Sequence, residues 1–175
     1  PTDSAVLAHD AQLISAGITT VFDALSIGDV DPKQTRLKQL PRMIEAIEDA
    51  AAEGVLRSEH FLHLRCEVSH EKTLETFEQL LAAHPALRLV SVMDHTPGQR
   101  QSVSYEKYRQ YYQGKYALSD QQMEEFVARQ KENGQKYSAD FKNAIVARCQ
   151  QQQIALASND DATAEHVAES VGFGM

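Results

Sequence analysis

The chain has 175 residues, of which 42% are hydrophobic and 24% charged, and its formal net charge is −8. This size and composition are typical of one globular domain with a sizeable core. The acidic balance argues against a nucleic-acid binder or a polybasic membrane-surface protein, and no apolar run reaches the roughly 20 residues that span a bilayer.

The first half of the chain alternates helices with short apolar strands. Asp3 or Ser4 can cap a helix that buries Leu7, Ala11 and Ile14, and a β-branched strand over 18–22 follows and ends at Asp23. Asp31 and Pro32 suit the start of a second helix, which Gly54 closes. A strand over 62–67, a helix from about 69 and a strand over 89–95 continue the alternation.

Polar, helix-prone residues follow the third strand. We interpret 101–137 as a helical insertion, in which Ser119 and Gln122 form a capping box. Ser138 can cap a further helix, and a strand over 154–157 and a final helix over 161–171 complete the pattern.

This order predicts an α/β fold in which residues 1–175 form a single domain with about four parallel strands. Four strands are too few for a closed (β/α)₈ barrel, which needs about 250 residues. Two interpretations remain, a small open α/β domain or a partial TIM-like (β/α) barrel. The chain begins at Pro1 without a methionine and ends at Met175, and we expect it to be the central piece of a larger barrel.

Three strands end in side chains that bind metals or transfer protons. Glu67 ends one strand, His95 ends the next, and Asn159, Asp160 and Asp161 end the third. Active sites of parallel α/β folds lie at the carboxyl ends of strands. A carboxylate and a neutral imidazole together suit Zn²⁺, Mn²⁺ or Fe²⁺. The alternative is structural, with Glu67 paired to Arg65 or a helix end and His95 hydrogen-bonded in a loop.

The neighbouring polar residues have less specific roles. Asp94 can orient a ligand or serve only the local backbone. Asn159 is a weak ligand for these metals, and Asp161 is expected to cap the last helix. Structural roles are expected for the remaining histidines, which are His9, His60, His63, His70, His84 and His166.

Cations cluster after the third strand, interleaved with tyrosines. Arg100, Lys107 and Lys115 are candidates for binding phosphoryl oxygens, and a solvated helical face is an equally good interpretation. The two cysteines, Cys66 and Cys149, are expected to be reduced thiols of a cytoplasmic protein.

Four segments resemble one group of enzymes closely. They span 64–67, 93–101, 107–116 and 157–163, and the likeness extends over essentially the whole chain. The chain resembles the metal hydrolases of the amidohydrolase superfamily, in the branch that serves phosphonate metabolism through the C–P lyase pathway.

The resemblance implies a metal-dependent diphosphatase with a TIM-like barrel. It would cleave α-D-ribose 1-methylphosphonate 5-triphosphate to the 5-phosphate and pyrophosphate. Divalent metals at a binuclear site (Zn, Mn or Fe) would be bound by Glu67 and His95, with Asp160 as a catalytic residue. Such metals generate hydroxide from bound water. From their charge and their position after the third strand, we expect three residues to bind the polyphosphate: Arg100, Lys107 and Lys115.

The chain departs from the family pattern in two respects. Asn159 stands at a metal-ligand position where the family has histidine, and further ligands of the family precede residue 1 or follow residue 175. We therefore expect the 175-residue chain alone to bind metal poorly or not at all and to have negligible activity. Hydrolysis of a C–N bond and a non-catalytic scaffold without metal are the alternatives. A small phosphorylated substrate is the expected partner, nucleic acid and membrane are not, and exposed strand edges favour a homo-oligomer.

Overall fold

The structure is a computed structural model that describes residues 3–28, 35–98 and 104–175. These ranges contain six helices and four strands in an alternating order. In chain order the elements are α1 (Asp3–Ser15), β1 (Thr20–Ile27), α2 (Thr35–Ala52), β2 (Glu59–Glu67), α3 (Thr73–Ala83), β3 (Leu87–Met93), α4 (Tyr105–Tyr116), α5 (Asp120–Gln152), β4 (Ala155–Ser158) and α6 (Ala164–Gly172).

The four strands form one parallel sheet in the order β1-β2-β3-β4. Each strand pairs with the next strand along the chain, and parallel neighbours require a crossover, which the helices provide. The prediction of an α/β fold with four parallel strands is confirmed. As described, the sheet is open, with β1 and β4 at its edges.

Helices pack against one face of this sheet. Phe77 of α3 and Ile145 of α5 are fully buried against strand residues such as Leu64 and Val90. The opposite face is less covered. On it, Phe22 is 45% exposed and its ring contacts that of Phe61 of β2 at a tilt, with ring centroids 5.7 Å apart. The sheet therefore has one buried face and one partly exposed face, which carries Phe22 and Phe61.

Helix α5 is longer than the sequence pattern indicates. Its 33 residues run through Ser138, so the prediction that Ser138 caps a separate helix is wrong. Ser119 caps α5 in the predicted capping box with Gln122. The outer part of α5 packs with α4 in a second apolar cluster, which comprises Tyr108, Tyr112, Met123, Phe126 and Val127.

Helix α1 buries a charged residue where an apolar stripe was predicted. Leu7 is 36% exposed, whereas Asp10 is fully buried. The Asp10 carboxylate accepts hydrogen bonds from the backbone N–H groups of Ser58 at 2.8 Å and Arg57 at 3.1 Å. These bonds hold the pKa of Asp10 below its usual value, although burial opposes them. The carboxylate thereby fixes α1 to the segment that enters β2.

Two predicted ends differ from the structure. Strand β1 continues past Asp23 to Ile27, and the Asp23 carboxylate lies 2.7 Å from Nδ1 of His60, which belongs to β2. Helix α6 is capped by Thr163 and not by Asp161. The predicted helix start at Asp31 and Pro32 lies outside the described residues.

Both cysteines are free thiols, as predicted, and both are buried. Burial raises the pKa of Cys149 to about 12 and raises that of Cys66 further, so neither thiol is activated. Among the residues that the structure describes, no helix has the length and apolar character needed to cross a membrane.

Candidate active site at the carboxyl ends of the strands

Glu67 and His95 meet at one end of the sheet. Glu67 is the last residue of β2 and His95 follows β3, and the pairing of Glu67 with Met93 sets the two strand ends side by side. The Glu67 Oε1 atom accepts the His95 backbone N–H at 3.1 Å, and Oε2 contacts the imidazole Nδ1. The structure therefore brings together the two side chains on which the metal hypothesis depends.

The Glu67 carboxylate is held firmly in this position. Its residue is only 2% exposed, and a buried carboxylate is stable only when it is hydrogen-bonded. The Ser69 hydroxyl donates to Oε1 at 2.6 Å, and the Thr73 hydroxyl donates to the Glu67 carbonyl, also at 2.6 Å. Neither hydroxyl was singled out from the sequence, because the bonds depend on the turn between β2 and α3.

Gly28 lies against the same carboxylate. It follows β1 with a φ of +80°, and an added Cβ would lie 2.4 Å from Thr73 Oγ1 and 3.0 Å from the Glu67 Cβ. Only glycine fits both this left-handed backbone and this close approach. The end of β1 thus supports the site without contributing a functional side chain.

Asp160, which follows β4, lies beside the pair of Glu67 and His95. Its Oδ2 lies 3.8 Å from His95 Nε2 and accepts a hydrogen bond at 2.9 Å from the side-chain amide of Asn159. Asp160 adopts a φ of +61°, which is uncommon for a residue other than glycine. Side chains at the ends of three neighbouring strands therefore lie close together. Asn159 contacts Asp160, which in turn lies beside His95.

The donor atoms at this site are of types that suit a divalent metal, but the described residues provide too few of them. His95 uses Nδ1 for Glu67 and presents Nε2 toward Asp160, which is the arrangement of a histidine ligand oriented by a carboxylate. Within residues 3–28, 35–98 and 104–175, however, no group of three or more His, Cys, Asp or Glu side chains could hold a metal ion. The described residues can supply part of a ligand set.

The charge state of His95 reflects its neighbours. Burial lowers the pKa of the imidazole, but the hydrogen bond and charge of Glu67, together with the charge of Asp160, outweigh it and raise the pKa. Without metal, the two carboxylates thus stabilise the protonated imidazolium more than water does around a free histidine.

This balance predicts a pH-dependent contribution to stability in the metal-free chain. Because the folded-state pKa of His95 is raised, its contribution is complete below the ordinary value of 6.5 and is lost as pH rises through the folded-state pKa. We expect His95→Asn to lower the melting temperature more at about pH 6 than at about pH 9. Thermal unfolding with a chelator measures this, and an equal loss at both pH values would contradict it.

The aromatic cluster of α4 and α5 contains a buried tyrosine hydroxyl. Burial raises the pKa of Tyr108, and the charges of Tyr112 and Glu67 raise it further. The Tyr108 hydroxyl is buried and has no hydrogen-bond partner among the described residues. The predicted insertion therefore contributes a buried polar group that the sequence pattern did not identify.

The structure supports the predicted phosphate-binding cations less than it supports the pair of Glu67 and His95. The Lys115 Nζ atom lies over the rings of three tyrosines of its own helix, between 5.2 and 5.8 Å from their centroids. Lys107 is exposed in the first turn of α4, where Ser104 caps its backbone N–H. Arg100 lies outside the described residues. The phosphate-binding role of all three stays a prediction.

Asp94 and Asp161 have local partners. Asp94 Oδ1 accepts the backbone N–H of Thr96 at 3.0 Å, which is the structural alternative considered for this residue. Asp161 Oδ2 accepts the Ser158 hydroxyl at 2.6 Å and so fixes the turn after β4.

Comparison with known proteins gives one curated match. The chain is 51% identical over 174 residues to alpha-D-ribose 1-methylphosphonate 5-triphosphate diphosphatase of Escherichia coli (strain K12). The match covers 99% of this chain and 46% of the relative, so the chain spans about half the length of the protein that it matches. No family model and no solved structure matches the chain.

Proposed function

We propose that this chain carries part of the active site of a phosphonate-catabolism diphosphatase, like the Escherichia coli protein with which it shares 51% of its residues. The observation that carries the proposal is the meeting of Glu67, His95 and Asp160 at the ends of three neighbouring parallel strands. The substrate would be α-D-ribose 1-methylphosphonate 5-triphosphate, and the products the 5-phosphate and pyrophosphate. A cytoplasmic location is part of the same proposal.

The proposed architecture is a TIM-like barrel to which this chain contributes four adjacent strands. The partly exposed face with Phe22 and Phe61 supports it, because the inward face of a barrel is covered only when the sheet closes. In such a barrel, Glu67, His95 and Asp160 would lie at the catalytic end, where loops after the strands form the site.

Each of the three residues has a role that follows from its contacts. Glu67 holds the imidazole through Nδ1, so that Nε2 is directed toward Asp160. Asp160 can accept a proton or orient a water molecule at its Oδ2 atom. A divalent metal, when bound by His95 with Glu67 or Asp160 and further ligands, would supply Lewis acidity toward the phosphoryl group.

The test is product analysis with a longer protein that contains this chain and matches the whole length of the relative. With Zn²⁺, Mn²⁺ or Fe²⁺ supplied, we expect α-D-ribose 1-methylphosphonate 5-triphosphate to yield one pyrophosphate and one 5-phosphate per molecule. The 175-residue chain alone should release negligible pyrophosphate, because its described residues supply too few ligands. Hydrolysis of a C–N bond by the longer protein, without pyrophosphate release, would favour the amidohydrolase alternative.

Asn159 supports a second candidate, a scaffold that has lost its metal. Its amide donates a hydrogen bond to Asp160 and offers only a weak oxygen ligand at a position predicted to bind metal. Metal content of the longer protein, compared with its Asn159→His variant, separates the two candidates. Stoichiometric metal before the substitution counts against the scaffold, and metal only after it counts in favour.

A further inference from the structure

Three ionisable side chains meet near the amino-terminal end of the sheet. Asp10 of α1, Asp23 of β1 and His60 of β2 form this cluster. His60 and Glu67 lie near opposite ends of β2, and the rise of a strand places them about 23 Å apart. The proposed diphosphatase chemistry uses none of the three residues of the cluster.

The His60 imidazole lies between two carboxylates. Its Nδ1 atom is 2.7 Å from Asp23 Oδ2, and its Nε2 atom is 3.5 Å from Asp10 Oδ1. The side chains of His60 and Asp10 are 0% exposed and that of Asp23 is 12% exposed. Nε2 has no hydrogen-bond partner among the described residues, so its contact with Asp10 is an attraction between opposite charges. That attraction requires a protonated imidazole.

A neutral imidazole cannot satisfy both neighbours. It has one N–H, so its other ring nitrogen directs a lone pair at a carboxylate, whereas an imidazolium has an N–H on both nitrogens. Among the described residues, the other charged group in contact with the cluster is the Arg57 guanidinium, 3.6 Å from Asp10 Oδ2 and 62% exposed. The buried residues of α2, which packs on the same strands, are apolar. Loss of one proton from His60 therefore leaves a buried excess of negative charge, which is destabilising.

The attachment of α1 to the sheet depends strongly on this cluster. Asp10 is the one buried residue of α1, and Val6 is the residue of α1 that packs against the main apolar core. Asp3 also pairs with Arg42 of α2 at 3.5 Å, but both side chains are more than half exposed, and such pairs contribute little. Because few apolar contacts hold α1, the charge state of the cluster determines how firmly the helix is attached.

We propose that the Asp10–His60–Asp23 cluster is a pH-sensitive switch, which attaches α1 to the sheet while His60 is protonated on both nitrogens and loosens it when one proton is lost. Histidine is the side chain that ordinarily changes charge between about pH 5 and 8. Hydrogen bonds from the backbone N–H groups of Ser58 and Arg57 hold the pKa of Asp10 below its usual value, so its carboxylate stays charged over that range. The attachment is therefore strongest at the acidic end of the range and weakens as pH rises. The proposal does not depend on the diphosphatase activity.

Amide hydrogen exchange of the 175-residue chain, corrected for the intrinsic dependence of exchange on pH, tests the proposal. We expect the protection of α1 amides to be about 10-fold lower at about pH 9 than at about pH 6, because the attraction of His60 to both acids is lost. His60→Gln places an uncharged amide at this position. In that variant, α1 should be equally protected at both pH values.

His84→Gln is the matched control, because it makes the same change at an imidazole whose Nδ1 lies 2.8 Å from a different carboxylate, that of Glu48 in α2. This variant should keep the pH dependence of α1. Asp23→Asn preserves the size of the side chain and removes one of the two acids, so α1 should loosen at a lower pH than in the unmodified chain. Equal protection of α1 at both pH values in the unmodified chain, unchanged pH dependence in His60→Gln, or loosening at an unchanged pH in Asp23→Asn would each overturn the proposal.

Discussion

Glu67→Gln is expected to reduce pyrophosphate release by the longer protein about 100-fold, which is the upper range for loss of a group that orients a metal ligand. The substitution keeps the size of the side chain but replaces an acceptor with an amide N–H donor. In the structure, Oε2 contacts His95 Nδ1, so one orientation of the amide would present a donor to the nitrogen that now donates. The imidazole would then be driven to carry its proton on Nε2, the atom directed toward Asp160.

The measurement pairs turnover with metal content. Glu59→Gln is the control, because it makes the same chemical change at the exposed first residue of the same strand. We expect the control to keep both metal and activity. If Glu67→Gln retained full activity, Glu67 would have only a structural role and the assignment of the site would be wrong.

Gly28→Ala is expected to destabilise the chain and to disturb the site together. A residue with Cβ in the left-handed region costs about 1–2 kcal/mol. At a φ of +80°, the new methyl would also lie 2.4 Å from Thr73 Oγ1 and 3.0 Å from the Glu67 Cβ. Overpacking of this kind typically adds about 1–3 kcal/mol. Because the contacts involve Glu67 and the hydroxyl that fixes its backbone, activity of the longer protein should fall as well.

Gly17→Ala separates backbone strain from contact. Gly17 has the same φ of +80°, but nothing lies within 4 Å of its added Cβ. We expect the free energy of unfolding of this variant to fall by only about 1–2 kcal/mol, which is the cost of backbone strain. Its activity should be unchanged. Denaturant unfolding and turnover of the two variants give the comparison, and equal losses of stability would show that the close approach to Glu67 is unimportant.

The convergence of the strand ends could be predicted because it depends on a simple topological rule. Apolar runs that end in Glu67, His95 and Asp160 predict parallel strands, and parallel neighbours place their carboxyl ends together. Distances between side chains could not be predicted. The contact of Glu67 with Nδ1 depends on the register of β2 and β3, which a single sequence does not specify.

The errors of the sequence analysis have a common physical cause, which is tertiary contact between distant segments. Asp10 is buried because backbone N–H groups 47 and 48 residues away bind its carboxylate. Ser138 is polar and can cap a helix, but α5 continues through it because the surrounding face packs against the strand ends. The same packing explains Gly134, whose missing side chain makes room for Thr96.

The length of α5 has a mechanical consequence. At 1.5 Å per residue, its 33 residues form a rod of about 50 Å. Ile145 and Cys149 anchor one end in the sheet core, while Met123 and Phe126 hold the tyrosine cluster at the other. A tilt of about 5° at the anchored end displaces the far end by about 4 Å over that length. The packing angle of a single helix thus sets where the aromatic cluster lies relative to the sheet.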